Sequence, residues 1–181
     1  MADGPKIPEA AQDASPFWTF SLKLYGGKPV PPACLTLQDG AGVDVNVMLF
    51  AMYLALSGRR ISIGDMAVIE AAVEDWRLSA VVPLRHVRRF LKEPPEAFAN
   101  AASAALRDRI KAVELEAERL QQEALYALRP LSQWGDGDAP SRVTAAHNIG
   151  AYEHLIGKSF DRQAVSALLD EFEARFVRPA A

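Results

Sequence analysis

The chain has 181 residues, half of them apolar, a net charge of -3 at pH 7 and a single cysteine. That is enough apolar surface to bury one core without staples. It excludes an intramolecular disulfide, a cysteine zinc cluster and a globally basic surface for nucleic acid. Cys34, in the apolar run Ala33-Cys34-Leu35, reads as a small core hydrophobe. The first fifteen residues lack the apolar stretch of a secretory signal, and the most apolar segment, Val43–Leu56, is too short to cross a bilayer as a helix. The expectation is a cytoplasmic protein without a membrane span, with a flexible tail over residues 1–14 and one helical domain over 15–178.

Ser15 before Pro16 reads as a helix cap with proline at the first helical position, and Phe17, Trp18, Phe20, Leu22, Leu24 and Tyr25 carry that helix to Gly26-Gly27. After a proline break comes a brief helical run, Ala33–Gln38, closed by the polar hinge Asp39-Gly40-Ala41-Gly42. From Val47 to Leu56 every residue is apolar or tyrosine, which predicts a helix surrounded by others. Ser62 and Asp65 resemble a capping box ahead of Met66, Ile69, Val73 and Trp76 at helical spacing. Pro83 reads as the start of a new helix, with Leu84, Val87, Phe90 and Leu91 along one side, that ends at Pro94-Pro95.

Phe98, Ala102, Leu106, Ile110, Val113, Ala117, Leu120, Ala124 and Leu128 then recur every three or four residues with no breaker before Pro130. They predict a helix of roughly thirty residues, ~45 Å long. Trp134–Pro140 is a loop. Two helices follow, one over about Ser141–Ile156 and one from the cap Asp161 through Val165, Leu168, Leu169, Phe172 and Phe176. No strand pattern is present. The fold class is therefore all-α: an irregular single-domain helical bundle of seven to eight helices with one long helix, and Val43–Leu56 at its centre.

Arg85, Arg88, Arg89 and Lys92 fall at i, i+3, i+4 and i+7, one narrow cationic stripe opposite the apolar side of the helix after Pro83. Like charges at this spacing repel, and within the helix only Glu93, four residues after Arg89, is placed to offset them. The counter-charge then comes from solvent, from acids of a neighbouring helix, of which Glu114 and Glu118 are the best placed, or from a bound anion held by arginine's planar donor fork. A second polar cluster stands at the mouth of the most apolar helix: Gln38, Asp39, Asp44 and Asn46. Its structural reading is capping, and its functional reading is a polar-substrate or Mg²⁺ site.

His147 and His154 are seven apart and form no metal pattern, the loop over 135–138 lacks the ligands of a calcium loop, and Asn148 and Tyr152 are an i, i+4 polar pair that helps pack its helix. No glycine-rich phosphate loop or nucleophile motif occurs, and no cofactor is assigned.

Three stretches, Phe17-Trp18-Thr19-Phe20-Ser21-Leu22 with Tyr25, Leu37-Gln38-Asp39 through Asn46 to Leu49-Phe50, and Trp76-Arg77 followed by Val82-Pro83-Leu84-Arg85 and Arg88-Arg89, stand in a specific order. Together they resemble an uncharacterised family of bacterial, chiefly proteobacterial, proteins known only as a domain of unknown function, over roughly residues 15–130. The resemblance implies no activity, but it implies that the aromatic helix, the acidic hinge and the arginine stripe form one unit. The leading expectation is a non-enzymatic binding or adaptor protein in which Arg77, Arg85, Arg88, Arg89, Lys92, Asp39, Asp44 and Asn46 meet an acidic protein partner or an anionic small molecule. Nucleic acid is disfavoured. The alternative is an enzyme or small-molecule site for a phosphorylated substrate, with or without Mg²⁺, built from the Asp39/Asp44/Asn46 hinge and nearby arginines.

Overall fold

The structure of the chain, a computed structural model, describes residues 14–177. The tail expected over 1–14 thus lies, save for its last position, outside the described residues, as does residue 178. Eight α-helices are present among the described residues: α1 (Pro16–Tyr25), α2 (Val30–Ala41), α3 (Val45–Leu56), α4 (Ile63–Trp76), α5 (Val82–Phe90), α6 (Ala101–Ala127), α7 (Arg142–Ile156) and α8 (Arg162–Phe172). The all-α bundle with one long helix is the observed architecture. No helix among the described residues is long and apolar enough to cross a membrane.

The helix starts follow local chemistry. Ser15 Oγ accepts the Trp18 N–H ahead of Pro16, Ser62 and Asp65 close a reciprocal capping box, and Ser141 and Asp161 cap α7 and α8. Asp44 caps α3, its Oδ1 accepting from the N–H groups of Asn46 and Val47. Every residue from Asn46 to Ala55 is buried, with α1, α4, α6 and α7 packed around this central helix. An aromatic chain through Phe17, Phe50, Tyr53 and Phe20 reaches Phe172 and Phe176, which ties α8 to α1 and α3.

Four sequence expectations need correction. First, α2 begins at Val30 rather than after the prolines, because Pro31 and Pro32 occupy the first turn, where no N–H is needed. It runs on to Ala41, so Asp39 and Gly40 belong to its last turn and not to a hinge; Gly42, at φ 79°, ends the helix. Second, Pro83 starts no separate helix. A π-turn over Arg77–Val81 joins α4 to α5, and the Val82 N–H donates to the Arg77 carbonyl five residues back. This widened turn accommodates a proline ring that an unbroken α-helix would drive into the carbonyl four residues earlier.

Third, the apolar stripe of α6 is its buried face only at Ala117, with Ile110 half-buried. Glu114, Ala117, Gln121, Gln122 and Leu125 are buried, whereas Leu106, Val113 and Leu120 are exposed, and Phe98 lies before α6 in a short 3-10 turn, 62% exposed. Fourth, a two-residue antiparallel pair does exist: β1 (Arg59–Arg60) with β2 (Asp136–Gly137). It forms because Gly135, at φ 42°, brings the backbone so close that a Cβ there would stand 2.1 Å from the Arg60 carbonyl oxygen. Arg59 secures the same loop by donating to the carbonyls of Trp134 and Gly135, both at 2.5 Å, and the Trp134 ring is buried under the Arg129 guanidinium.

Candidate functional site

Half of the cationic stripe, Arg85 and Arg88 of α5, faces the protein. Arg85 donates through Nε to Glu114 Oε1 (3.1 Å), through Nη2 to Glu118 Oε1 (2.7 Å) and through Nη1 to Gln38 Oε1 (2.6 Å), so one guanidinium links α5 to both α6 and α2. Arg88 grips both oxygens of Glu114, which is 5% exposed. The hydrogen bond to Glu114 pushes the Arg88 guanidinium above its ordinary range, and burial pushes the Glu118 carboxyl up although Arg85 pulls it the other way. Towards solvent the pairs become loose. Arg89 meets Asp39 at 3.3 Å and Lys92 meets Glu93 at 4.0 Å, all four side chains half or more exposed, so these two pairs contribute little. The counter-charge for Arg85 and Arg88 is therefore the chain's own, supplied by α6.

With Arg85 and Arg88 turned inward, Val87 and Phe90 on the apolar side of α5 are turned out, while Leu84 is half-buried. No residue of α5 is buried; Val87 and Phe90 are exposed, Phe90 at 54%. Periodicity divides the helix into two sides, and packing covers two arginines of one while leaving Val87 and Phe90 of the other in water.

Beneath the stripe lies a buried polar network. Gln121 Nε2 donates to Asp44 Oδ2 (2.6 Å), Asn46 Nδ2 donates to Gln121 Oε1 (3.1 Å), and Gln122 Nε2 donates to Asn46 Oδ1 (2.8 Å). Arg77 joins it, 2.5 Å from Glu70 Oε1 and 3.8 Å from Asp44 Oδ2. The Tyr152 hydroxyl accepts from the Asp44 N–H and donates to Glu70 Oε2, both at 3.0 Å. Burial first, and the Glu70 and Asp44 carboxylates next, hold that hydroxyl well above the usual tyrosine range, hence protonated. Asp44, Asn46 and Arg77 are thus brought together, while Asp39 faces solvent and Arg89 instead. Among the described residues no group of three or more His, Cys, Asp or Glu is placed to hold a metal ion.

Gln121, Gln122, Glu70 and Tyr152 were missed as members of this network. A signal existed for α6: Glu114, Glu118, Gln121 and Gln122 make a polar stripe at helical spacing. Asn148 and Tyr152 do not act as a local pair; each bonds to other elements, Asn148 to the carbonyls of Ala51 and Arg59 and to the Ile61 N–H. His147 bonds to the Ile61 carbonyl and Arg60, in an open cleft of about 870 Å³ that His154 also lines.

A groove of about 620 Å³ runs between α1, α2, α3, α5 and α6, with Arg85, Arg88 and Arg89 on one wall and Trp18, Leu22 and Leu49 on another. Cys34 also lines it, buried, with its thiol pushed up to about 12. At pH 8 roughly one thiol in ten thousand is then ionised. Cys34 is accordingly expected to stay unreacted with a water-soluble aromatic disulfide reagent in native buffer and to titrate as one thiol per chain in denaturant. Rapid reaction of the folded protein would contradict this burial.

The family described as Protein of unknown function (DUF2390) matches residues 16–125, more than half of the chain. The chain belongs to that family. No curated protein and no solved structure matches it. The DUF2390 region runs from the first residue of α1 to Leu125 in α6, and every residue that lines the groove, from Trp18 to Gln122, falls inside it. Asn148 and Tyr152, which brace α3 and α4 from α7, lie beyond its end.

Proposed function

We propose that this DUF2390 protein is a non-enzymatic binding or adaptor protein that docks an acidic protein partner on the outward face of α5. The observation that carries this reading is the inversion of α5: Arg85 and Arg88 are spent on Glu114 and Glu118, and Val87 and Phe90 are left in water. An exposed apolar face edged by charge is the signature of an interaction surface. Arg89 and Lys92, the two cations of the stripe with only loose partners, are exposed near the same end of the helix, so the fitting partner combines an apolar patch with carboxylates. Arg77, Asp44 and Asn46 serve beneath it by fixing α3, α4 and α6.

An anionic small molecule at Arg85 and Arg88 has less support, since it must displace two carboxylates already in place. The Mg²⁺ and phosphorylated-substrate alternative also has less, because Asp44 is committed to capping α3 and to Gln121, and Asp39 points to other partners.

The test is affinity capture from the protein's own host with wild type and with the double variant Val87→Glu, Phe90→Glu, whose sites are exposed enough to leave the fold intact. A protein held by wild type is expected to be lost by the variant and weakened by Arg89→Glu with Lys92→Glu. If the Val87/Phe90 variant keeps the same partners, with an unchanged circular dichroism spectrum, the outward face is not the docking surface.

A further inference from the structure

Three apolar side chains of α6 stand in water on one line. Leu106, Val113 and Leu120 are 42%, 51% and 44% exposed and lie seven residues apart, a step that returns to the same side of a helix within about 20°. Each step is about 10 Å along the axis. Ala102 and Ala124, also exposed, continue the row at either end. The other half of the same apolar pattern turns towards the protein: Ile110 is half-buried, Ala117 is buried, and the Ala117 carbonyl accepts the Trp76 indole N–H at 3.0 Å. The pattern of α6 is therefore covered along one flank and open along the other. Single exposed leucines are ordinary on a protein surface, but a row of them on one helix face is the seam by which helices associate.

The charges beside the open row run from basic to acidic along the helix. Arg109 stands four residues before Val113 and Glu116 three after it, both exposed and both on the flank away from Ile110 and Ala117. Arg109 has no ion pair among the described residues, and Glu116 has only the exposed Arg119, three positions on. Read outward from Val113 in either direction, the row offers a charged residue and then, seven positions away, a leucine, and the charge is positive on one side and negative on the other. Such a surface is self-complementary. A second copy laid antiparallel across it sets Val113 against Val113, Leu106 against Leu120 and Arg109 against Glu116, each unlike pair occurring twice about a two-fold axis. A parallel copy would instead set Arg109 against Arg109 and Glu116 against Glu116, and like charges brought face to face repel.

We infer that the open row of α6 is the interface of an antiparallel homodimer with Val113 on its two-fold axis. A helix of 27 residues is about 40 Å long and about 10 Å across, so the contact covers on the order of 400 Å² on each copy. The total of about 800 Å², before neighbours such as Trp76 are counted, is at the low end for a specific contact, and the dimer is accordingly one of micromolar or weaker affinity. The leucines and Val113 supply the attraction, and the two Arg109–Glu116 pairs set the direction. This goes beyond the docking reading of α5: it uses a different helix, a second copy of this chain and neither Val87 nor Phe90.

Sedimentation equilibrium of the full chain, carried up to about 500 µM, is expected to show a reversible monomer–dimer equilibrium. Val113→Glu sets two carboxylates on the axis and should abolish the dimer with an unchanged circular dichroism spectrum, whereas Leu115→Glu, on the opposite side of α6 and 47% exposed in the wild type, should leave it. Arg109→Glu should weaken the dimer about tenfold, and combining it with Glu116→Arg should restore it. Direction is read separately by oxidative cross-linking with copper–phenanthroline, in which the buried Cys34 stays silent. Val113→Cys is expected to cross-link to itself, and Leu106→Cys to cross-link only when mixed with Leu120→Cys. A wild-type chain that remains monomeric at the highest concentration overturns the inference, and this result depends on no variant. So does a dimer that survives Val113→Glu, or one in which Leu106→Cys links to itself. The Val87→Glu, Phe90→Glu variant is expected to stay dimeric, so failure of the dimer and failure of the α5 docking proposal are told apart.

Discussion

Replacing Glu114 by alanine is expected to lower the stability of the folded chain by about 3 kcal/mol, read as a shift in the urea midpoint with unchanged slope. Glu114 is 5% exposed and accepts from two guanidinium groups, Arg85 and Arg88, whose side chains are 20% and 28% exposed. Its removal leaves two cations one turn apart on α5, facing each other and a wall of α6, with Glu118 as the remaining carboxylate at Arg85. Breaking a buried ion pair from one side costs about 3–5 kcal/mol, and the partial exposure of both arginines puts this case at the lower end. The quadruple variant Glu114→Leu, Glu118→Leu, Arg85→Met, Arg88→Met removes all four charges together and is expected to regain most of the loss, since the desolvation cost disappears with the attraction. A loss below about 1 kcal/mol for Glu114→Ala would mean that both guanidinium groups find water easily and that the stripe is a surface feature.

Asn148→Leu is expected to cost about 3 kcal/mol, for a different reason. Asn148 is fully buried and joins three chain segments: its Nδ2 donates to the carbonyls of Ala51 in α3 and Arg59 in β1, and its Oδ1 accepts from the Ile61 N–H, all at 3.0 Å. Leucine is close in size, so little cavity forms. The loss comes from polar groups left without partners, each worth about 1–3 kcal/mol when buried. Ala51 has its helical hydrogen bond to fall back on, which leaves the Ile61 N–H and the Arg59 carbonyl as the main contributors. Native-state hydrogen exchange checks the mechanism. The Ile61 amide should lose more protection than amides in the middle of α3, and equal losses at both would indicate a global effect with no special role for this side chain.

Both residues show where sequence reading reached and where it stopped. Ser15, Asp44, Ser62 with Asp65, and Asp161 were readable as caps because a cap depends on residues two or three positions away. The central place of α3 followed from an unbroken apolar run. Glu114 and Glu118 could be named as candidates for Arg85 by elimination, but nothing within α5 distinguishes them from solvent, as they lie 29 and 33 positions along the chain. Asn148 carried even less signal, since its partners are backbone groups 87 to 97 positions away and any segment offers those.

Helical periodicity divided α5 and α6 into faces without saying which face is covered. Local rules, namely caps, proline positions and the apolar run of α3, are set by a few consecutive side chains, and these established an all-helical bundle around one buried helix. The inward turn of Arg85 and Arg88 and the outward turn of Val87 and Phe90 depend on what α6 offers across the interface. Because α6 presents carboxylates and amides there and not leucines, the favourable pairing is charge to charge, and Val87 and Phe90 of α5 are left exposed.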